Sequence, residues 1–181
     1  AAAPIVGRWA EGALPRPAGS TAVRGAVGEH GAGARNCTEI AAEGGPRGAG
    51  VNKAGITREG VLHKTSYDDW NDVMRVKLGG CFNMARAVWD GMLARRYGRI
   101  VNIGSINGQA GQFGQVNYSA AKSALHGLTR SLALEGARAG ITVNLVAPGY
   151  VETDMVAAMP GGALERILSS IPTGRLGQPD E

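Results

Sequence analysis

Cysteine, aromatic side chains and long apolar runs are all scarce in this chain of 181 residues, and each shortage excludes something. Cys37 and Cys81 form neither a disulfide framework nor a metal or redox spacing, and two free thiols suit a reducing compartment. No apolar run approaches the roughly 20 residues that span a bilayer, so no membrane span is expected. The opening Ala-Ala-Ala-Pro lacks a basic stretch followed by a hydrophobic one, which predicts no secretory signal and a cytoplasmic location. Charge of one sign is scarce too. A net charge of +4, with the basic residues scattered, reads as solvated surface rather than a nucleic-acid or membrane patch.

What is present is a composition of 44% hydrophobic and 19% charged residues, which places the chain among soluble globular domains. Its length predicts one domain. The 29 glycines are about twice the usual share, and they concentrate where the chain is least patterned. Residues 1–50 are dominated by Ala, Gly, Arg and Pro. Ile5-Val6 and Ala22-Val23 are too short to read as strands, and large side chains that would offset the ordering entropy are missing. This segment is expected to be irregular, apart from a short helix around Cys37–Glu43. A GC-rich gene read out of frame yields such a composition, which re-reading the coding DNA tests.

From residue 51 the pattern is orderly. Ser66, followed by Asp68 and Asp69, predicts a helix start, with a hydroxyl cap and carboxylates where the helix dipole favours them. Trp70, Val73, Met74, Leu78, Cys81, Phe82, Ala85, Val88 and Met92 then recur at helical spacing up to about Arg95. Arg99–Ile103 reads as a buried strand, and residues 117–138 as a second long helix stopped by Gly140. Ile141–Val146 reads as another buried strand, and Gly162–Ser169 as a shorter helix. Long helices alternating with apolar strands predict an α/β fold, a Rossmann-like doubly wound parallel sheet that binds ligands beyond its carboxyl strand ends.

The residues that carry chemistry gather there. Tyr118 and Lys122 lie four apart, on one helix face, so a phenol and an ammonium can enter the same cleft. A lysine charge near a phenol favours the phenolate and suits proton exchange near neutrality. Alone, the pair equally suits an exposed helix contact worth a few tenths of a kcal/mol. Ser105 follows the Arg99–Ile103 strand closely enough to reach the same cleft.

VNKAG (51–55), Ser105 at a strand end, Tyr118-Ser-Ala-Ala-Lys122 and APGYVETDM (147–155) together resemble the short-chain dehydrogenase/reductase family. The loop SINGQAGQFGQVNYSAAK (105–122) resembles that of its NADPH-dependent acetoacetyl-CoA reductases, as do GITREGVLHKTSYDDWNDV and GITVNLVAPGYVETDMV. The resemblance covers about 130 residues. It implies reduction of acetoacetyl-CoA to 3-hydroxybutyryl-CoA for polyhydroxyalkanoate synthesis, using NADP with NAD as the alternative. Catalytic roles fall to Ser105, Tyr118 and Lys122. The cofactor falls to Asn52, Ala54, Gly55, Tyr118, Lys122, Pro148, Gly149, Val151 and Thr153, and the acyl thioester to Gln112, Gln115 and Tyr150. No metal is implied. The family also implies a homotetramer built through the two long helices, if the sheet is completed. Blander readings stand beside these: Thr153 and Tyr150 as loop residues, Gln112 and Gln115 as surface amides, and His30, His63 and His126 as surface or packing residues. The alternatives in function are a 3-oxoacyl-carrier-protein reductase and a catalytically inactive fragment or oligomerisation module.

Three departures from the family pattern shape these expectations. No phosphate-binding TGxxxGIG loop is found in residues 1–50: Val27–Gly33 is glycine-rich but has no strand before it and no amphipathic helix after it. The strand before VNKAG also reads as missing, because Gly48-Ala49-Gly50 replaces its apolar residues. Lys53 and Lys77 stand where the family has asparagines, and a cation at 77 is expected to repel Lys122. Relatives continue beyond the final GRLGQPDE with a further helix and strand. The division by composition is therefore 1–50 and 51–181, the latter the catalytic region of an α/β domain incomplete at both ends.

Overall fold

The computed structural model describes residues 5–7, 48–53, 55–153, 156 and 161–181. The helix expected around residues 37–43, the Val27–Gly33 stretch, His30, Cys37 and Ala54 lie outside them. Two compact units divide the chain, residues 1–147 and 148–181.

Unit 1 holds a parallel sheet of four strands, β1 (Ile5–Gly7), β2 (Ala49–Asn52), β3 (Gly98–Ile103) and β4 (Ile141–Val146), in that spatial order. Two sequence expectations are corrected here. Ile5-Val6 does form a short strand, and Ala49–Asn52 is the strand that seemed to be missing. A parallel ladder is built from main-chain groups, and Ala49, Gly50 and Val51 pair with Arg99, Ile100 and Val101 without needing large side chains. The expectation of continuously buried strands is also corrected. Along β4, Ile141 and Val143 are buried while Thr142, Asn144 and Val146 are exposed, because β4 is covered on one face and has no neighbour beyond it among the described residues.

The long helical pattern from 66 to 95 is three pieces: α1 (Tyr67–Met74), a π-helical turn (Arg75–Gly79) and α2 (Gly80–Arg95). Ser66 caps it as expected, its Oγ accepting from the Asp69 N–H at 3.0 Å, with Asp68 and Asp69 in the first turn. The wider turn centres on Lys77, and apolar spacing does not register one extra residue in a turn. A short α3 (Asn107–Ala110) follows β3, then α4 (Val116–Gly136) packs along β4. Gly140, at φ 68°, ends the following turn in the left-handed region that glycine tolerates. In unit 2, α5 (Gly161–Ser170) lies where a helix was expected, and Val151 pairs with Gly177.

The core joins α2, β3, β4 and α4 through Ala85, Met92, Ile100, Ile141 and Val143, with Trp89 and Leu132 packed around them. Gly98 lets Met92 lie against the start of β3, since a Cβ there would collide with its thioether. Met92→Ala should cost about 2–5 kcal/mol, read as a lower urea midpoint at unchanged slope. Phe113→Ser, at a side chain 88% exposed, should change stability by less than about 0.5 kcal/mol.

Candidate active site

The carboxyl ends of β2 and β3 and the first turns of α4 meet in unit 1, and the buried polar side chains collect there. Asn52, closing β2, donates to Asn102 Oδ1 at 2.8 Å, and Asn102 donates to Thr129 Oγ1 of α4 at 3.0 Å. This chain of amides and a hydroxyl joins two strands to the helix with Asn102 1% exposed. Neither Asn102 nor Thr129 was anticipated. The signal was an asparagine inside the apolar run of β3, a place where a polar group has to be hydrogen-bonded.

Lys122 is buried one turn beyond Tyr118, and its ammonium donates to the carbonyl oxygen of Ile103, the last residue of β3, at 2.5 Å. Burial holds its pKa below the ordinary lysine value. The main chain turns at once after Ile103. Gly104 N donates to the Val146 carbonyl at 2.7 Å, and Ser105 Oγ accepts from Asn107 N at 3.2 Å. Gly108 then passes so close to the backbone of Lys122 that a Cβ would come within 2.7 Å of its carbonyl carbon. Ser105, Tyr118 and Lys122 are thus set by one strand end and one helix start. Tyr118 is half-buried, its N–H donating to its neighbour Asn117 Oδ1 at 2.7 Å. The buried Asn117 donates in turn to the Arg58 carbonyl at 2.9 Å, which ties the segment before α1 to the helix.

Lys77 enters the same place from the π-helical turn. It is 9% exposed, and its Nζ lies 4.9 Å from the centre of the Tyr118 ring, with Lys122 Nζ at 5.7 Å. The far end of Lys77 also fills the space beside Gly55, where a Cβ would collide with the ammonium. Burial, and then the charge of Lys122, push the Lys77 pKa down to about 8. The expected repulsion between 77 and 122 is therefore felt at Lys77. Cys81 donates its thiol to the Lys77 carbonyl at 3.2 Å and is pushed up to about 11, chiefly by burial.

The remaining sequence candidates are spread more widely. Lys53 and Gly55 are exposed, and Asn52 is half-buried with its amide nitrogen on Asn102. Gln112 is exposed in the turn between Gly111 (φ 77°) and Gly114 (φ 76°). Gln115 donates to Glu59 at 2.6 Å and accepts from Asn107 at 2.9 Å, and Gly60 N donates to the Gly114 carbonyl. Pro148, Gly149, Tyr150, Val151 and Thr153 belong to unit 2. There Gly177 N donates to the Tyr150 carbonyl and Glu152 N to the Gly177 carbonyl, both at 2.9 Å. Among the described residues no group of three His, Cys, Asp or Glu could hold a metal, and no helix is long and apolar enough to cross a membrane.

The family model for short chain dehydrogenases matches residues 27–161. The chain belongs to that family. Curated relatives include an acetoacetyl-CoA reductase of Shinella zoogloeoides, 55% identical over 79% of this chain and 60% of its own length. One of Rhizobium meliloti is 54% identical over 78% of this chain and 59% of its own. A 3-oxoacyl-[acyl-carrier-protein] reductase of Vibrio harveyi is 47% identical over 72% of this chain and 54% of its own. The chain thus spans little more than half the length of these relatives.

Because the folded chain holds the Lys77 proton less tightly than the unfolded chain does, the buried charge weakens the fold. That penalty is fully present below about pH 8 and fades as pH climbs towards 10.5, so stability rises with pH through this window. Cys81 acts in the opposite sense above pH 9, its ordinary value, because the unfolded thiol ionises first. Denaturant titrations should therefore show stability rising between pH 8 and 9. Lys77→Met should reduce the rise to what the lowered Lys122 contributes in the same sense, and be more stable at pH 7 by about 1–3 kcal/mol. An equal rise in the variant would contradict this.

Proposed function

We propose that this chain is the catalytic part of an NADPH-dependent reductase of 3-oxoacyl thioesters, converting acetoacetyl-CoA to 3-hydroxybutyryl-CoA for polyhydroxyalkanoate synthesis. The observation that carries this reading is the seating of Tyr118 and Lys122 on one helix face, with the Lys122 ammonium on the carbonyl that ends β3, two residues before Ser105. The likeness to proteins named acetoacetyl-CoA reductase supplies the substrate. A cytoplasmic location belongs to the same reading.

The donor set suits a nicotinamide cofactor. Lys122 has three ammonium protons and Ile103 takes one, which leaves two for ribose hydroxyls. Bound NADPH, or NADH as the alternative, would supply the hydride. Tyr118 would donate its hydroxyl proton to the oxygen of the 3-oxo group, and Ser105 would stabilise the charge developing on that oxygen by a hydrogen bond. Lys122 would favour the phenolate left on Tyr118. Asn52, Ala54 and Gly55 would hold the adenine-side ribose. Pro148, Gly149, Val151 and Thr153 would hold the nicotinamide carboxamide. Gln112 and Tyr150 would meet the thioester, and Gln115 would act through the loop that it anchors to Glu59 and Asn107. A homotetramer is part of this proposal. An apolar groove of about 740 Å³, between α1–α2 and α4 and lined by Met74, Leu78, Phe82, Ala124 and Leu128, supports contact through the two long helices.

Two other readings each have an observation behind them. The Vibrio harveyi relative favours the carrier-protein thioester as substrate. The Lys77 side chain crowding Gly55 favours a chain that binds no cofactor and serves as an oligomerisation module. Fluorescence titration with NADPH should show saturable binding, and its absence establishes the inactive reading. Tyr118→Phe should keep the NADPH Kd within about threefold while lowering kcat by about 10²–10⁴. The kcat/KM for acetoacetyl-CoA should exceed that for the carrier-protein thioester; the reverse order selects the second reading.

A further inference from the structure

We propose that Lys77 is a covalent modification site for small aldehydes and ketones, an activated amine held between Gly55, the Tyr118 ring and Lys122 that forms an imine with the incoming carbonyl. The inference rests on the cluster itself and stands apart from the reductase reading.

Lysines react with carbonyls only as neutral amines, and most lysines in water are almost entirely protonated. A lysine becomes nucleophilic when it is desolvated or set beside another cation, and Lys77 has both conditions. It is 9% exposed, and among the described residues no carboxylate forms an ion pair with it. The charged and titratable groups that act on it are Lys122 from α4 and Cys81 from α2, with the Tyr118 ring across from its Nζ. Its proton is accordingly lost near pH 8 rather than above 10. Lys122 is the poorer candidate, because its ammonium is engaged by the Ile103 carbonyl. The Lys77 ammonium, by contrast, ends against Gly55, an exposed residue, which gives a small reagent a short way in.

The chemistry balances without a further reagent. The amine lone pair forms a C–N bond to the carbonyl carbon while the C=O π pair moves onto oxygen. That oxygen then leaves as water, carrying both amine hydrogens away, and the nitrogen pair closes the C=N bond.

The chain holds four lysines, Lys53, Lys64, Lys77 and Lys122, so the test is well resolved. The chain is exposed at pH 7 to limiting acetaldehyde with sodium cyanoborohydride to reduce any imine, and ethylated peptides are quantified by mass spectrometry. Lys77 should be labelled at least about tenfold faster than the exposed Lys53 and Lys64. Its rate should reach half its maximum near pH 8. Lys122→Gln should slow labelling at Lys77 by several-fold. Labelling led by Lys53 and Lys64 overturns the proposal, and so does a Lys77 rate whose half-maximum lies at the ordinary lysine value of 10.5. The pH profile of the unaltered chain decides the matter even if Lys122→Gln fails to fold.

Discussion

Lys122 carries its charge into the protein on a helix packed along the sheet, and the carbonyl of Ile103 receives it. Removing an ammonium from water costs several kcal/mol unless a partner is fixed in place. The end of β3 supplies that partner, and the rest of the site follows from where β3 stops. The chain must turn away immediately, which puts Ser105 at the corner. The returning loop must clear the helix backbone, which only a glycine at 108 permits. Tyr118, one helical turn before Lys122, is then fixed relative to the strand end.

A second buried lysine is the unusual element. Two ammoniums lie within 6 Å of the centre of one phenol ring, and the one with the weaker support gives up its proton first. Lys122 has a carbonyl partner and Lys77 has chiefly an aromatic face, so Lys77 bears both the desolvation and the repulsion. The consequences run in several directions at once. The fold loses stability near neutral pH, the space beside Gly55 is filled, and an amine becomes available for chemistry that ordinary lysines perform more slowly at that pH.

Much of this was legible in the sequence. Helical spacing located the long helices, the Ser66 cap was visible with its two aspartates, and Tyr118, Lys122 and Ser105 were named from their order and spacing together with the family resemblance. The Lys77–Lys122 conflict was legible through the resemblance, which sets position 77, an asparagine in the family, near the lysine at 122. What escaped depends on backbone geometry. Ala49–Asn52 is a strand through pairing with β3, and side-chain pattern cannot signal that where the residues are small. The π-helical turn that aims Lys77 inward leaves the apolar spacing almost unchanged. The Asn52–Asn102–Thr129 chain spans residues far apart in sequence, so no local pattern contains it.

The central claim is that two buried ammoniums share one site and that Lys77 yields. NMR titration of the lysine side chains, with ¹³Cε shifts followed from pH 6 to 11, tests it directly. The account predicts that Lys77 titrates near pH 8, well below the ordinary lysine value of 10.5, and that Lys122 is also lowered from that value. A Lys77 curve centred on the ordinary lysine value of 10.5 would contradict it.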